Sequence, residues 1–92
     1  MSIVVLGGHE RMERDYINIG KKYGCKIKIF TKMQGDLSKR IGNPDYVVMF
    51  TDVVSHKVVN TANKVLKKKN IPSLRLHKSS VQTLEEALVQ IQ

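Results

Sequence analysis

Ile3-Val4-Val5-Leu6 is a continuous apolar run, and it ends at once in Gly7-Gly8-His9. A short β-branched run that stops at two glycines reads as a fully buried strand, Ser2–Leu6, closed by a tight turn. Met12, Tyr16, Ile19 and Tyr23 then recur at helical spacing, so Met12–Tyr23 is expected as a helix with Gly24 closing it. Gly7–His9 is therefore a strand-to-helix loop. In an open α/β sheet, such loops at the carboxyl ends of central strands are where ligands bind.

The same alternation continues along the chain. Lys26–Thr31 is a second strand, with Ile27 and Ile29 alternating against Lys26 and Lys28. Gln34-Gly35-Asp36 is a turn, and Asp36 caps a short helix, Leu37–Ile41. Gly42-Asn43-Pro44-Asp45 is another turn before an all-apolar strand, Tyr46–Phe50. Ser55 caps a helix over His56–Lys69, whose terminal lysines suit the negative end of the helix dipole. Ser73–His77 is a fourth strand. Ser79-Ser80-Val81-Gln82 reads as a capping box for a last helix bearing Val81, Leu84, Leu88 and Ile91 on one face.

Four β-α units predict an α/β fold with a parallel sheet. Strands one and three are apolar throughout and belong at the centre, while the charged strands two and four belong at the edges. Right-handed crossovers then give the order 2-1-3-4, a shortened flavodoxin-like, Rossmann-like three-layer arrangement. The topological switch lies between strands one and three, so Gly7–Arg11 and Thr51–His56 are expected to face each other across one crevice. The 92 residues, opening with Met1, read as one complete domain, 1–92. So small a core is expected to lean on self-association, with a homodimer completing a shallow crevice. No apolar run nears the roughly 20 residues that span a bilayer, and no signal peptide opens the chain. The expected setting is the cytoplasm, without membrane contact. Cys25 is the single cysteine, which excludes a disulfide framework within the chain.

A net charge of +8 favours anionic partners. At the carboxyl edge, Gly7 and Gly8 would admit a ligand close to the backbone. Helix N-termini with Arg11, Lys57 and Lys78 would neutralise an anionic group, and His9, Asp52 and His56 would orient it. Glu10, Thr51, Ser55 and Ser79 complete the candidate set. The expected function is thus a small, non-catalytic domain that binds or senses a small anionic ligand.

Several enzyme readings fail on residue types. Gly7-Gly8-His9-Glu10-Arg11-Met12 lacks the Gly-x-Gly-x-x-Gly spacing of dinucleotide folds. Asp52 stands where a receiver domain is phosphorylated, but the acidic pair after strand one and a fifth strand are missing. A sugar-phosphotransferase subunit would need a cysteine after strand one. Asp52, Ser55 and His56 are close in sequence, yet triads are defined by geometry. Two binding alternatives remain. His9, His56 and His77 could hold haem or a metal, within one molecule or across a dimer, with Met12 and Val54 against the ring. The lysines could also bind nucleic acid, although Tyr16, Tyr23, Tyr46, Phe30 and Phe50 leave few stacking platforms.

Four stretches together resemble the bacterial domain-of-unknown-function family 2325. They are Gly-Gly-His-Glu-Arg-Met from Gly7, Lys-Ile-Lys-Ile-Phe-Thr-Lys from Lys26, Thr-Asp-Val-Val-Ser-His-Lys from Thr51, and His-Lys-Ser-Ser from His77. The resemblance spans almost the whole chain and implies a short Rossmann-like domain. It singles out His9, Glu10, Arg11, Thr51, Ser55, His56 and Ser79 as site positions. It also implies haem binding as the alternative to weigh.

Overall fold

The computed structural model describes residues 1–32 and 36–91. Its four strands are β1 (Ser2–Leu6), β2 (Lys26–Phe30), β3 (Tyr46–Phe50) and β4 (Ser73–Leu76), all parallel, in the order β2-β1-β3-β4. Four helices connect or follow them: α1 (Glu13–Lys22), α2 (Leu37–Ile41), α3 (His56–Lys69) and α4 (Val81–Ile91). The expected topology is the observed one. The turn expected at Gln34-Gly35 lies outside the described residues. Among the described residues, no helix is long and apolar enough to cross a membrane.

The period of two along the central strands divides the core into two halves. Ile3 and Val5 of β1 and Val48 and Phe50 of β3 pack with Tyr16 of α1 and Leu84 and Leu88 of α4. Val4, Leu6, Val47 and Met49 point the other way, against Ile41 of α2 and Val59, Ala62 and Leu66 of α3. Because alternate residues face opposite layers, continuous apolar runs are what a doubly covered parallel sheet requires. Each fully buried side chain of this size contributes about 1.5–3 kcal/mol through the water it leaves behind.

Element ends depart from the sequence reading at β2 and β4, which stop one residue early at Phe30 and Leu76, and at the starts of α1 and α4, while Gly24 closes α1 as expected. A 3₁₀ turn over Glu10–Met12 precedes α1, so the α-helix starts at Glu13. No side chain caps it at His9 or Met12, and the turn instead closes through Met12 N–H donating to the His9 carbonyl at 2.9 Å. At the other end, Cys25 N–H reaches the Gly20 carbonyl and Gly24 N–H the Lys21 carbonyl, the pair of bonds that stops a helix at Tyr23. Finally, Ser80 rather than Ser79 caps α4. Its Oγ accepts from Thr83 N–H at 3.1 Å and lies 2.7 Å from Thr83 Oγ1. Ser79 is turned inward instead.

Candidate functional site

Three connections meet at the carboxyl edge of the sheet: β1 to α1, β3 to α3 and β4 to α4. Tyr16 of α1 is fully buried, and its hydroxyl donates to the Ser79 carbonyl. Ser79 donates its own N–H and Oγ–H to Asp52 Oδ2, at 3.1 and 3.0 Å. It is the one buried polar residue among the described residues. The chain Tyr16–Ser79–Asp52 therefore pins all three connections together. Burial holds the Tyr16 phenol above its ordinary range, and the nearby Asp52 carboxylate pushes it the same way.

The two glycines are explained by the same packing. Gly7 and Gly8 both have φ of 95°, a conformation side chains resist. A Cβ on Gly7 would sit 2.5 Å from Val54 Cγ2, and one on Gly8 would sit 3.0 Å from the Tyr16 ring. Val54 thus fills the space between the β1 and β3 connections where the sequence places a crevice. The glycines admit Val54 and Tyr16, and Asp52 and Ser79 serve each other.

One cleft at this edge lies a strand further over, between β4 and the start of α3. It has a volume of about 360 Å³ and is lined by Thr51, Val54, His56, Val59, Arg75 and His77. Thr51 and Val54 come from the connection after β3. His56 opens α3, and Val59 lies one turn on. Arg75 projects from β4 on the face opposite Leu76, whose side chain joins the α1–α4 half of the core. His77 follows the strand, its Nδ1 3.4 Å from Thr51 Oγ1. Thr51 N–H also donates to the Leu76 carbonyl at 2.8 Å, which fixes the spacing of the two walls.

Ser55 accepts from Val58 N–H at 3.3 Å and caps α3, so its hydroxyl is engaged at the rim. The positive end of the α3 dipole is directed at this cleft, beside Arg75 and two imidazoles. Such a set suits an anion: a guanidinium, two imidazoles and a hydroxyl beside the apolar Val54 and Val59.

The other candidates lie elsewhere. His9, Glu10 and Arg11 are exposed at the entry to α1, where Glu10 pairs with Lys32 at 3.4 Å. Lys78 is exposed and does not line the cleft. The expectation that His9, His56 and His77 converge on a metal within one chain is not met. Among the described residues, no three His, Cys, Asp or Glu side chains are grouped to hold an ion. The reason is topological: α1 and α3 cover opposite faces of the sheet, so the residues leading into them diverge. Arg75 was missed as a site residue. Its signal was present in the alternation Leu74-Arg75-Leu76-His77, which sets Arg75 and His77 on one face.

Comparison with known proteins adds a family and a fold. A family model described as an uncharacterized protein conserved in bacteria (DUF2325) matches residues 2–91. No curated protein matches the chain. Among solved structures, a de novo designed Rossmann fold protein is similar over 96% of this chain and 93% of its own, with a TM-score of 0.64 at 14% identity.

Proposed function

The chain belongs to the bacterial DUF2325 family of uncharacterized proteins, and from that premise we propose that it is a non-catalytic cytoplasmic domain that binds a small anion in the cleft between α3 and β4. One observation carries the reading. Two stretches of chain, the β3–α3 connection and the end of β4, deliver Thr51, His56, Arg75 and His77 to the same cleft at a helix N-terminus. Arg75 supplies a guanidinium that can grip a carboxylate or phosphate through two N–H groups. His56 and His77 offer ring N–H groups that can donate to the same anion. Pairing of two copies would deepen the cleft.

Thermal shift and calorimetry with inorganic phosphate, a nucleoside monophosphate and a dicarboxylate test this. At least one should stabilise the protein, and Arg75→Ala should weaken it about tenfold or more, in line with about 1.5–3 kcal/mol for a charged hydrogen bond. Absence of stabilisation by all three, or an unchanged Arg75→Ala, overturns the reading.

Haem is a second reading of the same cleft, favoured by two histidines over the apolar Val54 and Val59. Either imidazole would ligate iron, which would supply redox or gas-binding chemistry, and Arg75 would pair with a propionate. A haemin titration followed by absorbance separates the two readings. A Soret shift lost in His56→Ala or His77→Ala supports haem, and a flat titration removes it.

A further inference from the structure

The charge of +8 is not spread evenly over the molecule. Helices α2 and α3 carry seven Lys or Arg side chains and no carboxylate. Helices α1 and α4, in the opposite layer, carry four carboxylates against three cations. One of the seven, Lys69, is used internally: its Nζ donates to the Ser38 and Gly42 carbonyls, both at 2.8 Å, and clips α2 to α3. The other six are exposed, and among the described residues none is in an ion pair.

Their arrangement is a track. Lys57, Lys64 and Lys68 fall on one stripe of α3, extending about 16 Å at 1.5 Å per residue. Exposed Thr61 lies between them on the same stripe. Lys64 and Lys68 rim a groove of about 180 Å³ where α3 meets Ser38 of α2. In the same layer, Lys28 of the edge strand and Arg40 of α2 stand 5.4 and 5.8 Å from the Phe30 ring. A row of cations held outward without carboxylates is costly through self-repulsion unless a polyanion meets it.

From this layer we infer that the α2–α3 face binds the phosphate backbone of a nucleic acid, without reading its sequence. The lysine ammonium is a point charge that follows phosphates without the planar match a specific contact requires. Phe30 is already flanked by cations, so base stacking contributes little and the backbone is the target. A membrane surface fits less well. The apolar stripe of α3 is spent on the core through Val59, Ala62 and Leu66, and the exposed large apolar residues, Met1, Val53 and Val89, lie off these helices.

Fluorescence anisotropy with a labelled 20-base-pair duplex tests the inference. For about four phosphate contacts, affinity should fall roughly a hundredfold between 50 and 200 mM salt. Lys64→Glu with Lys68→Glu should weaken binding at least tenfold. Arg14→Glu with Lys21→Glu, an equal change in net charge on α1, should alter it less than threefold. Lys57→Gln with Lys64→Gln, a milder pair, should give a smaller loss in the same direction. Three results would overturn the inference: no duplex binding at 50 mM salt, equal weakening by the α1 and α3 charge reversals, or tighter binding to phosphatidylserine vesicles or polyglutamate than to the duplex.

Discussion

Tyr16 is fully buried, its ring 5.5 Å from Phe50 and its hydroxyl engaged by the Ser79 carbonyl. Burial penalises the phenolate, so the folded value stands above the unfolded one. A raised value means that the contribution to stability is complete below about pH 10, the ordinary phenol value, and is lost as pH climbs through the folded one. Tyr16→Phe should therefore cost about 1–2 kcal/mol at pH 7 by leaving the Ser79 carbonyl without its donor. It should also reduce the loss of stability on going above pH 10. Urea unfolding at pH 7 and 10.5 reads both effects. At Gly7, alanine faces both a φ of 95° and Val54, and about 2–4 kcal/mol of destabilisation is expected by the same measurement. The Gly-Gly pair was visible as a turn in the sequence. What makes each glycine necessary was not, because Val54 and Tyr16 reach it only through tertiary packing.

Among the elements, α4 depends on two serines with different tasks. Ser80 caps the helix through Thr83 N–H, whereas Ser79 joins Asp52 and Tyr16. Ser80→Ala should cost about 1 kcal/mol, read as a lower melting temperature with the anion affinity of the cleft unchanged. Along its length α4 is tied to α1 by Glu85, which accepts from Lys22 Nζ at 2.9 Å and from the Tyr23 hydroxyl at 2.8 Å. These bonds hold the Glu85 carboxyl below its usual range, so this tie is present above that range and fades as acid protonates it. Most helices announced themselves through apolar stripes and capping residues, as Ser55 did for α3. The start of α1 did not, because its 3₁₀ turn closes backbone to backbone. No side chain there carries a signal.

For the whole molecule, the strand order was legible because charge betrays an edge: Lys26 and Lys28 mark β2, and Arg75 marks β4. The location of the cleft was less so. The switch between β1 and β3 is the usual place for a ligand in such sheets, but here Val54 occupies it, and the open space has moved one strand outward. Arg75 is the residue that the displacement brings into play. The grouping of cations in one layer was written in the helices but needed the crossovers to be interpreted. Only when α2 and α3 lie side by side do their six exposed basic residues become a surface.

That sidedness also limits how two copies of this chain can meet. A two-fold axis lays each patch on its own duplicate. Centred over α2 and α3, it would press ammonium groups against ammonium groups on helices that carry no acid within them. Any symmetric pair is thereby steered to the α1–α4 side or to the rim of the sheet, leaving the two basic layers turned outward on opposite flanks.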